Sequence, residues 1–226
     1  MEFLQRLSIA KKIYLIPFIG TVTFLIYLVM ATTTALGNSK TLKNTRDIQF
    51  PVLQTSESAL VSLERVKEAL AGAVTTGDEE ALKNANVLAE QLKKQLGQIG
   101  QLDSELNRET SAIIKTFDDY YAVAFQVSKE MVSNTADMAT IGARSQKMNG
   151  DYENTVKKLT SFRDVELKNF KDAIEEANSA ASSLITVGAI MGLFITCALF
   201  GSAIVVVNGI KSSLLNIIRS LKDLAK

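Results

Sequence analysis

Apolar side chains recur at alternating spacings of three and four residues through the middle of the chain, from about residue 36 to about residue 183. This spacing places them on one face of an α-helix, whereas a half-buried strand would alternate at every second residue. The segment is rich in Ala, Leu, Glu, Lys and Gln, which favour helices, and it contains one proline, Pro51. The pattern therefore predicts long helices that pack their apolar stripes together.

Four apolar stripes can be followed along this segment, and each predicts one helix. The stripes are Leu53, Leu60, Leu63, Leu70 and Val74; Leu82, Ala85, Ala89, Leu92, Leu96 and Ile99; Leu106, Ile113, Phe117, Tyr120, Ala124, Val127 and Met131; and Val156, Leu159, Phe162, Phe170, Ala173 and Ala177. Since short loops join antiparallel neighbours, the sequence predicts an all-α fold with an up-down-up-down four-helix bundle.

Two further stretches, residues 14–31 and residues 184–207, carry no charged residue. A helix of about 20 apolar residues crosses the hydrocarbon core of a bilayer. We therefore predict transmembrane helices at residues 13–35 and 184–207, continuous with the first and last helices of the bundle. A cleaved signal peptide is the alternative for the first stretch, although its apolar run is longer than the usual run of about 7–15 residues.

The charge distribution predicts how the chain crosses the membrane. Residues 1–12 carry three basic residues against one acidic residue, and residues 208–226 carry four against one. The segment between them carries 18 basic against 22 acidic residues. Short basic flanks stay in the cytoplasm, so both termini are predicted inside and residues 36–183 outside.

Two turns are predicted at the end of the bundle far from the membrane. The first is at residues 75–78, where Thr76 followed three residues later by Glu79 has the spacing of a helix N-cap. Asn149-Gly150 and residues 133–136 compete for the second. Helices that leave and re-enter one membrane must rise as far as they descend. A turn at Asn149 leaves a mismatch of about 35 Å, whereas a turn at residues 133–136 leaves about 10 Å, and we predict the latter.

Composition excludes several kinds of chemistry. The chain has no histidine, and its one cysteine, Cys197, lies in the second apolar stretch. An intrachain disulfide, a zinc site built from Cys and His, and a His-based catalytic triad are therefore excluded. Asp118 and Asp119 are adjacent, and neighbours in sequence do not face each other on a helix. We predict no enzymatic activity, no cofactor, no metal and no nucleic-acid partner.

Three side chains are candidates for binding a ligand: Arg65, Tyr121 and Arg144. The two arginines fall at similar heights in the predicted bundle, about 15 Å and 12 Å below its tip, and Tyr121 lies a little lower. Guanidinium groups bind carboxylates bidentately, so an arginine pair with a phenol could hold a carboxylate. The alternative is that each arginine pairs with a nearby Glu or Asp on the surface.

The residues after the second apolar stretch predict association with a second copy. Five apolar residues follow spacings of four, three, four and three, which is a coiled-coil seam of about two heptads. They are Ile210, Leu214, Ile217, Leu221 and Leu224. A helix this short is marginal alone in water, so the seam favours a homodimer.

Several segments resemble bacterial methyl-accepting chemotaxis proteins. The start, Leu4-Gln-Arg-Leu-Ser-Ile-Ala-Lys-Lys-Ile before an apolar stretch, is similar to their opening. The Thr76-Gly77-Asp78 turn, Phe117-Asp-Asp-Tyr-Tyr and Phe162-Arg163 resemble their four-helix-bundle ligand-binding domain. Residues 208–226 resemble the first helix of a HAMP linker, with Ser213 where that helix usually carries a proline.

The resemblance implies a chemoreceptor of the bacterial inner membrane that crosses it twice. Residues 36–183 would form the periplasmic sensor domain, and its input would be a small-molecule ligand or a periplasmic binding protein. Its cytoplasmic signalling partners would act through residues beyond 226. Similar bundles precede histidine kinases and diguanylate cyclases, so the input half of such an enzyme is one alternative. A membrane adaptor without a ligand is the other.

Overall fold

The computed structural model describes residues 9–224, and every regular element in this range is helical. Helix α1 spans Ile9–Asn44 and is followed by a π-helical turn at Thr45–Gln49. Helices α2, α3 and α4 span Phe50–Thr76, Glu79–Gly100 and Ser104–Val132. Helix α5 spans Met138–Leu224. The predicted all-α class is confirmed.

The chain divides into two compact units. Residues 41–175 form one unit, which holds α2, α3, α4 and the first part of α5. The other unit combines residues up to 40 with those from 176 onwards, and it contains both apolar stretches.

The predicted stripes form a single hydrophobic core in the unit of residues 41–175. All four helices contribute to it, and its members include Leu63 and Val66 of α2, Leu92 and Leu96 of α3, Phe117 and Tyr120 of α4, and Leu159 and Phe162 of α5. Met131 is the exception among the stripe residues, since it is 41% exposed. It lies in the last turn of α4, which ends at Val132.

Polar contacts and one close approach at a glycine connect α2 to α3 and α3 to α4. Ser62 of α2 donates a hydrogen bond to Gln95 of α3 at 3.0 Å. The ammonium of Lys93 on α3 lies 3.7 Å from the carboxylate of Asp118 on α4. A Cβ atom on Gly100 at the end of α3 would lie 2.8 Å from the hydroxyl of Thr110 on α4. These contacts define the register of neighbouring helices.

Two further contacts join α5 to α4 and to α2. The rings of Tyr120 on α4 and Tyr152 on α5 are 5.3 Å apart. The ammonium of Lys67 on α2 lies 4.3 Å from the centre of the Tyr152 ring, a cation–π contact. Tyr152 therefore links the first and third helices of the bundle core to the fourth.

The second turn lies where the length argument predicts it. Helix α4 ends at Val132 and α5 begins at Met138, so the prediction of residues 133–136 is confirmed. The competing pair Asn149-Gly150 lies inside α5. Asn134 adopts a left-handed conformation with φ of 55°, which asparagine tolerates better than most residues.

The N-cap prediction at Thr76 is wrong. Thr76 is the last residue of α2, and its hydroxyl donates back to the carbonyl of Gly72 at 2.9 Å. Gly77 closes α2 with φ of 66°, a left-handed conformation that suits glycine. The cap of α3 is therefore the next residue, Asp78, whose carboxylate accepts from the N–H of Glu80 at 2.7 Å.

A π-helical turn interrupts the long helical run just before Pro51. The N–H of Phe50 bonds the carbonyl of Thr45, five residues back. Proline has no N–H and its ring crowds the carbonyl four residues earlier. A wider turn ahead of Pro51 accommodates this crowding, and such turns are single-turn irregularities within otherwise regular helices.

In the other unit, α1 and the later part of α5 lie side by side. The amide nitrogen of Asn38 donates to the carbonyl of Ala177 at 3.2 Å. Gly188 faces Tyr27 so closely that an added Cβ would lie 2.5 Å from the phenol oxygen. Two helical runs, Pro17–Thr76 and Met138–Gly209, each contain a window long and apolar enough to cross a membrane, and these windows are unburied.

The backbone remains helical through Leu224. The side chains of the predicted seam, Ile210, Leu214, Ile217, Leu221 and Leu224, lie outside the described residues. The same holds for residues 1–8. The coiled-coil seam stays a prediction.

Candidate functional site

Arg144, the third of the sequence-predicted residues, is held by a carboxylate of the chain itself. Its guanidinium contacts Glu130 through two nitrogens, at 2.5 and 3.3 Å. Gln126 donates a further hydrogen bond to the same carboxylate at 2.7 Å. The hydrogen bonds from Arg144 and Gln126 lower the pKa of Glu130. This ion pair connects the end of α4 to the start of α5 across the turn. It agrees with the alternative that the arginine pairs with a nearby Glu or Asp.

Tyr121 lies half-buried between α4 and α3. Its phenol donates to the side-chain oxygen of Asn86 at 3.3 Å. Its ring stacks on Phe117 at 5.6 Å and contacts Phe125 at the same distance. Burial raises the pKa of the phenol to about 12, and the nearby Glu90 adds to the rise. Tyr121 is therefore a neutral hydrogen-bond donor at physiological pH.

Arg65 is exposed on α2. Within residues 9–224, no hydrogen bond or ion pair joins any two of Arg65, Tyr121 and Arg144, and the last two are each held by a different neighbour. A carboxylate ligand on Arg144 would have to displace Glu130. The three-residue ligand site stays a prediction.

Sequence reasoning missed a groove between α3 and α4, beside Tyr121. It has a volume of about 610 Å³ and lies at the start of α3 and the end of α4. Its lining is Glu79, Leu82, Lys83, Asn86 and Val87 of α3 with Phe125, Lys129, Val132 and Ser133 at the end of α4. Ligand pockets typically measure about 300–1,000 Å³. The available signal was a lysine near the start of α3 and another near the end of α4, Lys83 and Lys129, since antiparallel helices bring these two ends together.

A buried carboxylate lies lower in the bundle. Glu166 of α5 is 8% exposed and accepts one hydrogen bond, from Asn169 at 3.2 Å. Burial is the main cause that raises its pKa, and the carboxylates of Glu109 and Glu105 raise it further. A charged group is costly to bury without a partner of opposite charge. Glu166 therefore opposes folding when it is ionised.

Replacing Glu166 by glutamine is expected to stabilise the protein near neutral pH. Because the folded pKa is raised, the favourable contribution of Glu166 is present below its ordinary pKa and is lost as pH rises through the raised value. We expect the E166Q melting temperature to exceed wild type by about 2–4 °C near pH 7.5, from a change of about 1 kcal/mol. Near pH 4 the difference should vanish.

Thermal melts of the purified chain at both pH values measure this. Glu153→Gln, at an exposed position of the same helix, is the matched control and should change little. Equal melting temperatures of E166Q and wild type at neutral pH would contradict the account.

The described residues contain no group of three or more His, Cys, Asp and Glu side chains arranged to hold a metal ion. Comparison with known proteins gives no match, whether to a protein family, a characterised protein or a solved structure. The fold and sequence define the chain as an all-helical protein with two candidate membrane-crossing helices. The resemblance to chemotaxis receptors rests on the sequence segments alone.

Proposed function

We propose that the chain is the sensing part of a transmembrane receptor of the methyl-accepting chemotaxis type. The observation that carries the proposal is the continuity of α5, which runs unbroken for 87 residues. It contributes Leu159 and Phe162 to the bundle core and then continues through the uncharged stretch 184–207. One element thus belongs both to the bundle core and to a run long and apolar enough to cross a membrane.

The proposed topology is an up-down-up-down bundle at residues 36–183. Contacts between neighbouring helices support it, because the helices run antiparallel: a contact with a higher residue number on one helix has a lower residue number on the other. Tyr120 contacts Tyr152 while Glu130 contacts Arg144, so α4 and α5 run antiparallel. Lys93 contacts Asp118 while Asn86 contacts Tyr121, so α3 and α4 do as well.

The proposed spans are residues 13–35 and 184–207, in a bacterial inner membrane with both termini cytoplasmic. Hydroxyl groups within them bond to carbonyls of their own helix: Thr21 to Pro17 at 2.8 Å and Thr196 to Gly192 at 2.8 Å. Polar groups in lipid must be satisfied internally because no water is available there. These bonds meet that requirement, and the support for membrane placement is the length and apolar character of the two helical runs.

In the proposed mechanism a small-molecule ligand, or a periplasmic binding protein, favours one of two packings of the bundle. The two packings must differ in affinity for the ligand, since equal affinity would shift no population. A slide or rotation of α5 would carry the change across the membrane. A homodimer would pass it through the helix at residues 208–226 to cytoplasmic partners.

A chimera tests the proposal. Residues 1–226 are joined to the cytoplasmic part of a characterised chemotaxis receptor, and small molecules are screened by thermal shift for saturable binding to the purified chain. If the chain is a receptor, we expect at least one small molecule to bind, and we expect that molecule to change the kinase activity controlled by the chimera. Failure to find any saturable binder would favour a non-sensing adaptor, and binding without a change in kinase activity would contradict signalling through α5.

A further inference from the structure

The groove between α3 and α4 has two lysines at one level. The contacts of Lys93 with Asp118 and of Gly100 with Thr110 define the antiparallel register of the two helices. Continued in the same register, Lys83 on α3 stands within about two residues of the level of Lys129 on α4, which is about 3 Å of helix rise. Both lysines line the groove, one from each wall.

The two lysines outnumber the acidic residues of the groove lining. Within residues 9–224, six other basic side chains form ion pairs, whereas Lys83 and Lys129 form none. Glu79 is the one acidic residue of the lining, so the groove keeps a net positive charge.

The rest of the groove is mainly apolar. Leu82, Val87, Phe125 and Val132 contribute to its walls, and Val87 is 54% exposed. Asn86 adds one polar group, whose oxygen already accepts from Tyr121 at 3.3 Å and whose amide remains able to donate. Apolar walls with a few convergent polar groups are typical of small-molecule sites.

We propose that this groove binds a small amphipathic organic anion, with a carboxylate between Lys83 and Lys129 and an aromatic or branched body against Phe125 and Val132. This proposal names the class of ligand for the sensor function proposed above. Only the expectation that binding produces a signal rests on that function. It places the ligand on α3 and α4, beside Tyr121 and away from Arg65.

The test is binding of 2-naphthoate to the purified chain in detergent, measured by isothermal titration calorimetry against a protein-free detergent blank. Two probes separate charge from apolar contact: 2-naphthamide has the same ring system without the charge, and acetate has the charge without the ring. We expect saturable binding of 2-naphthoate, and about tenfold weaker binding or none for each of the other two, because bonds to charged groups are the stronger ones.

Variants locate the site. K83M/K129M keeps the length of both side chains and removes both charges, and we expect it to weaken 2-naphthoate binding at least about tenfold. K94M/K115M is the matched control, with one exposed lysine on each of the same helices and neither in the groove lining. It should bind as wild type does.

A second pair of variants tests the same groove independently, in case K83M/K129M does not fold. Val87→Glu places a carboxylate on the exposed wall and should also weaken 2-naphthoate binding, whereas Val61→Glu, at a similarly exposed position of α2, should not. Absence of saturable 2-naphthoate binding by wild type would overturn the proposal. So would equal affinity for 2-naphthamide, or unchanged affinity in both K83M/K129M and Val87→Glu. Because the readout is binding, a failure of signalling by the chimera would leave this result intact and count only against the proposed function.

Discussion

Replacing Ser182 by proline is expected to abolish signalling while leaving ligand binding unchanged. Ser182 lies in α5 just before the uncharged stretch 184–207 and after the last bundle core residues. Proline there removes a helical hydrogen bond and crowds the carbonyl four residues earlier, at a cost of about 3 kcal/mol or more, and kinks the helix. A slide or rotation of α5 would then be absorbed at the kink.

The measurement is kinase control by the chimera, with ligand affinity determined in parallel. We expect the S182P response to fall at least about tenfold, since a coupling of about 1.4 kcal/mol corresponds to that factor. Affinity should stay close to that of wild type. Ser182→Ala is the control, because alanine retains the backbone N–H and favours the helix. A full response from S182P would rule out transmission along a continuous α5.

Replacing Phe117 by alanine is expected to cause the largest loss of stability. Phe117 is fully buried, and its ring contacts those of Tyr120 at 6.2 Å and Tyr121 at 5.6 Å. It belongs to the cluster shared by all four bundle helices, so its removal leaves a cavity that no single helix can close. Buried Phe→Ala changes cost about 3–5 kcal/mol, which lowers the melting temperature by about 6–20 °C in a protein of this size.

Thermal melts followed by circular dichroism measure the effect. Phe50→Ala is the matched control, because Phe50 is 51% exposed and has one aromatic contact, with Phe170 at 6.1 Å. It should cost about 1 kcal/mol or less. Equal losses in the two variants would mean that Phe117 is not at the centre of the core. F117A should also disturb the groove through Tyr121, so its binding data are not a test of the ligand class.

Much of the fold could be predicted from residue patterns. The three-four spacing identified each stripe, and nearly all stripe residues are buried or partly buried. The position of the turn at residues 133–136 followed from matching helix lengths at a fixed rise per residue, and α4 and α5 end and begin around it. Periodicity and rise are properties of the single helix, so no knowledge of its neighbours is required.

The cap of α3 shows where local patterns were insufficient. Thr76 and Glu79 have the spacing of a capping pair, yet Asp78 is the cap. Helix α2 continues through Thr76 and Gly77 closes it, so Thr76 cannot also cap the next helix. Two overlapping signals for one turn cannot be ranked from sequence alone. Asp103 caps α4 in the same way, accepting from Glu105 at 2.7 Å.

The sequence by itself determined the helical class, the four core-facing stripes, the two uncharged stretches and the positions of the two turns at residues 75–78 and 133–136. Tertiary structure alone decided which side chains meet. Arg144 pairs with Glu130 and does not join Arg65 in a common site, and Tyr121 bonds to Asn86. Lys83 and Lys129 line the two walls of one groove. The physical reason is that such meetings depend on how each helix is rotated and shifted against its neighbour. Packing of the whole core sets that rotation and shift, whereas residue spacing sets only the face that each helix buries.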